Sequence, residues 1–207
     1  MSKIKSDKYY TPIEIANHCW SKVNEIIGLF LISDIIEPSC GNGSFYHYDN
    51  RKPDIGIDIL PEIEGYPIYK EDFLNIEIPY KKNRLIIGNP PYGDKMSLAQ
   101  KFYRKSVEIA DYIAFILPIS QLNNTQSLYQ FDLIYSEDIG THVYTDRKLH
   151  CCLNIYKRPD NGILNSKPKN KINGINIKRK YNKGYEEMEY DIRICGWGDG
   201  TAGKILS

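Results

Sequence analysis

Cysteine is too scarce and too irregularly placed to organise this chain. Five occur, Cys19, Cys40, Cys151, Cys152 and Cys195, and no two form a C-x-x-C. An odd number without that spacing excludes a disulfide framework and a zinc site, and fits a reducing cytoplasm. The four histidines, His18, His47, His142 and His150, have no ligand spacing, so no metal is expected. Long hydrophobic runs are missing too. The longest, "IIGLFLI" at 26–32, is far too short to span a bilayer, and no signal-peptide pattern opens the chain. A cytoplasmic protein with no membrane partner is the expectation. The chain also lacks the G-x-S-x-G nucleophile turn, the G-x-x-x-x-G-K phosphate loop and the G-x-G-x-x-G dinucleotide fingerprint.

What is present suits one domain of ordinary size with room for an appendage. The 207 residues are 42% hydrophobic and 26% charged, normal for a globular protein. The net charge is only +1, but residues 157–183 hold nine Lys or Arg against the single acid Asp160, a local charge of +8 that leaves −7 for the rest. A basic segment on an acidic body points to a polyanion partner, although a solvated tail would have the same composition.

Periodicity predicts a helix over 12–28, with Thr11 as its cap, Pro12 in its first turn and Gly28 at its end. Apolar runs predict strands at 31–36, 54–59, 66–73, 84–88 and 112–118. An amphipathic helix is expected at 97–110 and a weaker one at 120–135. "THVYTD" and "LHCCLNIYKR" read as two strands close enough to pair as a hairpin. Beyond residue 158 the chain is rich in Asn, Lys and Gly and reads as loop, with a strand and a Gly-rich loop near "YDIRICGWGDG". Continuous apolar strands alternating with helices mean an α/β fold: a mostly parallel sheet, doubly wound and covered on both faces. Ligands of such sheets bind at the C-terminal ends of the strands.

Each unusual cluster lies at such an end. "EPSCGNG" (37–43) follows the first strand, and Gly41 and Gly43 let the backbone pass close to a ligand; a tight strand-to-helix turn would use the same residues. Asp58 ends the second strand, where a carboxylate can accept both ribose hydroxyls or simply cap a turn. Asp72 and Phe73 follow the third, an acid for an exocyclic amine beside a ring for a purine. After the fourth comes Asn89-Pro90-Pro91-Tyr92. Two prolines cannot sit inside a helix or central strand. Here they hold the Asn89 side-chain oxygen and nearby carbonyls as acceptors, next to a ring able to stack. Acceptors converging on an NH2 group favour a more tetrahedral nitrogen with its lone pair free to attack.

Taken together, residues 8–158 resemble the S-adenosylmethionine-dependent amino-methyltransferases, most closely the DNA adenine-N6 methyltransferases. "YYTP" (9–12) resembles their N-terminal motif, "DIIEPSCGNGSF" (34–45) their glycine motif, "NPPY" (89–92) their catalytic motif and "FILP" (115–118) the end of their fifth strand. The resemblance implies a Rossmann-like methyltransferase fold, seven-stranded with an antiparallel C-terminal hairpin strand. It implies a catalytic domain at 1–158 and a basic extension at 159–207. The cofactor would be S-adenosylmethionine, held by Tyr10, Thr11, Pro12, Glu37, Pro38, Ser39, Gly41, Gly43, Asp58, Ile59, Asp72 and Phe73. Asn89, Pro90, Pro91 and Tyr92 would be catalytic. Duplex DNA with a flipped-out adenine would meet Lys169, Lys171, Lys178, Arg179 and Lys180. NPPY also occurs in enzymes acting on ribosomal RNA or on a protein glutamine, and a non-catalytic nucleic-acid-binding relative would keep the same pocket. Family members usually carry a large recognition domain after the catalytic half. With 49 residues after position 158, a fragment, a minimal enzyme, or reliance on a recognition subunit is expected, alongside a possible cognate restriction enzyme.

Overall fold

The computed structural model describes residues 9–169 and two short strands further on, Arg193–Ile194 and Ile205–Leu206. The chain divides into two compact units, Met1–Pro168 and Lys169–Ser207. In the first, the elements run α1 (Ile13–Ile26), β1 (Asp34–Glu37), β2 (Ile55–Asp58), β3 (Ile68–Lys70), β4 (Arg84–Gly88), α2 (Ser97–Ile109), β5 (Tyr112–Pro118), β6 (Asp132–Tyr144) and β7 (Arg147–Lys157). In the second, β8 (Arg193–Ile194) pairs antiparallel with β9 (Ile205–Leu206).

The large sheet has the order β3-β2-β1-β4-β5-β7-β6. Strands β1 to β5 are parallel; β7 runs antiparallel between β5 and β6. This is the seven-stranded α/β sheet with an antiparallel hairpin strand that the resemblance implies. Period-two side chains split its apolar residues between two cores. Ile35, Leu85, Ile87, Ala114 and Ile116 face α1, which presents Ala16, Cys19, Trp20 and Val23 on one stripe. Ile36, Ile86, Ile113, Phe115 and Leu117 face α2, through Ala99, Phe102, Tyr103 and Val107. Full burial of each large side chain contributes about 1.5–3 kcal/mol.

Three local expectations are corrected. Thr11 does not cap α1: Pro12 occupies the N-cap position with no side-chain hydrogen bond, and its carbonyl accepts from Ile15 and Ala16. Residues 120–135 hold no α-helix. A 3-10 turn at Ile119–Gln121 gives way to a left-handed Asn123, and β6 already begins at Asp132. Asn124 accepts from the Gln126 N–H and donates to the Ser120 carbonyl, local bonds that compete with a helix. The strands also do not alternate regularly with helices. Among the described residues the β1–β2 link carries only a 3-10 turn, Ser44–His47, which packs under α1 through the Trp20 Nε1 bond to the Phe45 carbonyl.

Candidate active site

A cavity of about 780 Å³ opens at the C-terminal ends of β1, β2 and β4. Every residue from the glycine motif, the β2 end, the Asp72-Phe73 pair and NPPY that the sequence singles out lines it, except Gly43; so do Tyr10 and Thr11, while Pro12 does not. Residues about fifty positions apart meet here because the parallel β1 and β4 are neighbours, with Ile36 opposite Ile86.

The β1 loop is held by its own backbone and by Asp58. Gly41 N–H donates to Asp58 Oδ2 and Leu60 N–H to Asp58 Oδ1, both at 2.8 Å. Asp58 therefore ties the loop to the β2 end while each oxygen keeps a second lone pair to offer. Gly43 has φ +81, a backbone strained for other residues, and a Cβ there would lie 2.0 Å from Ile63 Cδ1 and push that side chain aside. Asp72 also supports its own turn, accepting from Leu74 N–H and Asn75 Nδ2 at 2.9 Å each. Phe73 is buried against Phe102, ring centroids 5.3 Å apart. Ile59 is 64% exposed at the rim, an apolar surface ready to be covered.

The NPPY loop is less open than its sequence suggests. The Asn89 carbonyl accepts from Ser39 Oγ at 3.2 Å, so it is not the free acceptor expected. The side-chain Nδ2 donates to Thr11 Oγ1 at 3.2 Å, while Oδ1 is buried with no partner among the described residues. The Tyr92 hydroxyl lies 3.6 Å from Cys151 Sγ. Burial first, then Cys151, holds that phenol well above its usual ionisation, so Tyr92 is a neutral ring.

The electrostatics are one-sided. Glu37, Asp58, Glu71 and Asp72 line the cavity, and no Lys, Arg or His does among the described residues. Glu37 is 2% exposed and its Oε2 has no partner among them. Burial, then the Asp58 charge, holds its carboxyl well above the usual range. Cys40, in the same wall, is pushed up to about 12 by burial, then by Glu37 and Asp58, which rules out a thiolate nucleophile near neutral pH. Among the described residues no group of three or more His, Cys, Asp or Glu is placed to hold a metal ion.

Sequence reasoning missed several wall residues: Tyr9, Cys40, Glu71, and Leu98 and Phe102 from α2. In the sequence, Leu98 and Phe102 carry only a helical-periodicity signal, which any core residue shares. Of the basic residues proposed to meet nucleic acid, Lys169 is exposed; Lys171, Lys178, Arg179 and Lys180 lie outside the described residues. Two charges of the basic segment are already used. Lys157 pairs with Asp160, and Arg158 donates to Asp111 at 2.8 Å and to the Val107 and Ala110 carbonyls.

Strand order and site position are those of the Rossmann-like methyltransferase fold, and solved structures agree. The chain is similar to a candidate RNA methyltransferase of Pyrococcus horikoshii (TM-score 0.58, 14% identity, 76% of this chain and 91% of that one). It is also similar to protein 1320 of Thermoplasma acidophilum (TM-score 0.53, 14% identity, 75% and 93%). A third similar structure is the 23S rRNA methyltransferase ErmE (TM-score 0.51, 12% identity, 73% and 70%). At identities this low the likeness shows the fold alone. No protein-family profile and no curated protein sequence matches the chain.

Proposed function

We propose that the chain is an S-adenosylmethionine-dependent methyltransferase acting on the exocyclic amine of a nucleobase, with the N6 of an adenine in DNA as its target. The observation that carries this reading is Asn89, its Oδ1 without a partner among the described residues, in a cavity whose charged lining residues among the described ones are all acidic. Such a cavity repels a dinucleotide's pyrophosphate and attracts a cation. S-adenosylmethionine, when bound, supplies a methyl group activated by its positive sulfonium.

The chain's own residues then divide the work. Asp58 provides negative potential and offers its remaining lone pairs to a ribose, Glu37 would ionise against the bound cation, and Ile59 and Phe73 offer apolar surface to an adenine ring. Pro90 and Pro91 fix the loop that presents Asn89, whose Oδ1 would accept from an NH2 hydrogen. No general base is required at the start, since the neutral amine carries its own lone pair. Positioning supplies most of the rate. The basic residues at 169–180 would hold the phosphates of flipped-out duplex DNA, with a recognition subunit or a cognate restriction enzyme as further cytoplasmic partners.

An adenine in RNA is the second reading, favoured by the names of two of the similar structures. The same pocket would serve it. Labelled methyl transfer to unmethylated duplex DNA and to RNA, with nucleoside mass spectrometry, separates the two. Asn89→Ala is expected to bind cofactor within about twofold of wild type and to lose at least a hundredfold in turnover, the scale of losing one transition-state acceptor. Near-wild-type turnover by that variant would refute the assignment.

A further inference from the structure

A nucleobase that reaches Asn89 arrives on a chain of phosphates. The base enters the cavity, and the phosphates on either side of it stay outside. Glu37, Asp58, Glu71 and Asp72 line the cavity and would repel them. The phosphates therefore need cations at the rim, and two elements beside the NPPY loop carry them.

The first is the start of α2. The Tyr92 carbonyl accepts from the Leu98 and Ala99 N–H groups at 3.1 and 3.3 Å, which joins NPPY to the first turn of the helix. Leu98 and Phe102 of that helix line the cavity. From Lys95 to Val107 the chain holds Lys95, Lys101, Arg104 and Lys105 and no acid, with Asp94 and Glu108 just outside. Ala99, Phe102, Tyr103, Ser106 and Val107 are buried, which leaves Lys101 and Arg104 exposed on the outer face. Lys101 stands one turn beyond Leu98, and so beside the cavity. Lys95 is exposed in a turn of unfavourable backbone: Lys95 and Met96 are both left-handed, at φ +48 and +67.

The second element is the β6–β7 hairpin. Cys151 of β7 lies opposite Pro118, the last residue of β5. Residues 147–150 run on past that end, paired with β6. The tip therefore overhangs the sheet at the end where the cavity opens. It touches the site twice. The Tyr92 hydroxyl lies 3.6 Å from Cys151 Sγ, and Arg147 Nη1 donates to the Tyr9 hydroxyl at 2.7 Å. Alternation puts Lys148 and His150 on the same face as Cys152, which packs in the core under α2. Lys148 and His150 are exposed, as are their cross-strand partners Val143 and Thr141. His150 is held by Asp138 at 2.8 Å. Lys148, like Lys95, Lys101 and Arg104, has no side-chain hydrogen bond or ion pair among the described residues, whereas Lys22, Arg51, Lys157 and Arg158 each have an acidic partner.

We propose that Lys95 and Lys101 at the start of α2, together with Lys148 on the overhanging hairpin, bind the phosphates that flank the nucleotide whose base is methylated. This rests on the nucleobase reading above and makes the α2 side of the cavity mouth a nucleic-acid surface, independent of the basic residues at 169–180. An acidic interior suits a sulfonium cofactor, and a cationic margin suits a polyanion. A protein or small-molecule amine would leave the second without a partner.

The test uses the full chain with Lys101→Gln and Lys148→Gln together, one change from each element. A control of equal charge carries Lys52→Gln and Lys82→Gln, exposed residues ahead of β2 and β4 at the other end of the sheet. Binding of unmethylated duplex DNA and of RNA is followed by fluorescence anisotropy across a salt series. The first variant should bind about tenfold more weakly for each lost contact near about 0.1 M salt, and its log–log slope on duplex DNA should flatten by about 0.9 per contact. The control should match wild type, and S-adenosylmethionine affinity by calorimetry should be unchanged in both. The nucleic acid that loses affinity names the source of the phosphates. An unchanged slope, an equal loss in the control, or a loss traced to weaker cofactor binding would each overturn the proposal, as would wild-type protein that binds neither DNA nor RNA. Wild-type protein that binds nucleic acid and methylates none would sink the functional reading alone, and the slope would still decide the phosphate contacts.

Discussion

Glu37 is the residue whose environment contradicts its chemistry most plainly. It is an acid almost sealed from water, beside a second acid, with an unpartnered oxygen and no cation among the described residues that line the cavity with it. Its raised ionisation has a stability consequence of definite sign. The folded chain keeps a proton that the unfolded chain releases above about pH 4.3, so stability falls as pH climbs from there toward Glu37's own folded value. Glu37→Gln should remove that fall. In the absence of ligand the variant should melt higher than wild type at pH 7.5, and the difference should vanish near pH 4. It should also bind S-adenosylmethionine more weakly, because the cation loses the carboxylate it would ionise. Thermal melting across pH and calorimetry check both halves. A variant that melts lower at pH 7.5 would show the buried carboxyl to be stabilising.

Between elements, the end of the sheet away from the cavity is fastened by one buried pair. Asp34 opens β1 and Arg84 opens β4, in register. Arg84 Nε and Nη2 donate to Asp34 at 3.1 Å, and Nη1 donates to the Pro79 and Ile109 carbonyls. Arg84→Met leaves a nearly buried carboxylate with only the half-exposed Lys81, 3.4 Å away. It should cost about 3 kcal/mol in urea unfolding, whereas Asp34→Leu with Arg84→Met should recover much of that. The two orphaned carbonyls keep the double variant below wild type. A double variant as unstable as the single one would deny that the stranded charge is the cause. Element-level legibility followed the same logic of burial. The helix at 97–110 and the strands at 84–88 and 112–118 could be read closely because their apolar periodicity is strong. The region 120–135 could not, since Leu133 and Ile134 already belong to β6, Leu128 and Phe131 are buried from an irregular segment, and its Asn-rich part bonds locally.

At the scale of the whole molecule, charge is segregated. The charged residues that line the cavity are acidic among the described residues, while nine cations fall in the sequence at 157–183, two of which, Lys157 and Arg158, are taken up by Asp160 and Asp111. If the remaining cations bind phosphates, replacing Lys169, Lys171, Lys178, Arg179 and Lys180 by Gln should weaken duplex DNA binding. It should also flatten its salt dependence by up to about 0.9 in log–log slope for each phosphate that is no longer neutralised. Fluorescence anisotropy between about 50 and 200 mM salt measures both, and an unchanged slope would remove this segment from the interface.

By itself the sequence determined the mostly parallel sheet, a late hairpin, and which clusters stand at strand ends, because these follow from local periodicity and from residues such as proline and glycine that restrict the backbone wherever they occur. Tertiary structure alone decided what those clusters do to one another. Ser39 takes up the Asn89 carbonyl, Thr11 Oγ1 accepts from the Asn89 amide, Asp58 holds the Gly41 N–H of the β1 loop, Asp72 holds its own turn, and four acidic residues line one cavity with no basic side chain among the described residues that line it. Hydrogen bonds and Coulomb interactions depend on distance in space, and only the folded sheet brings β1, β2, β4 and the segment before α1 within reach of each other.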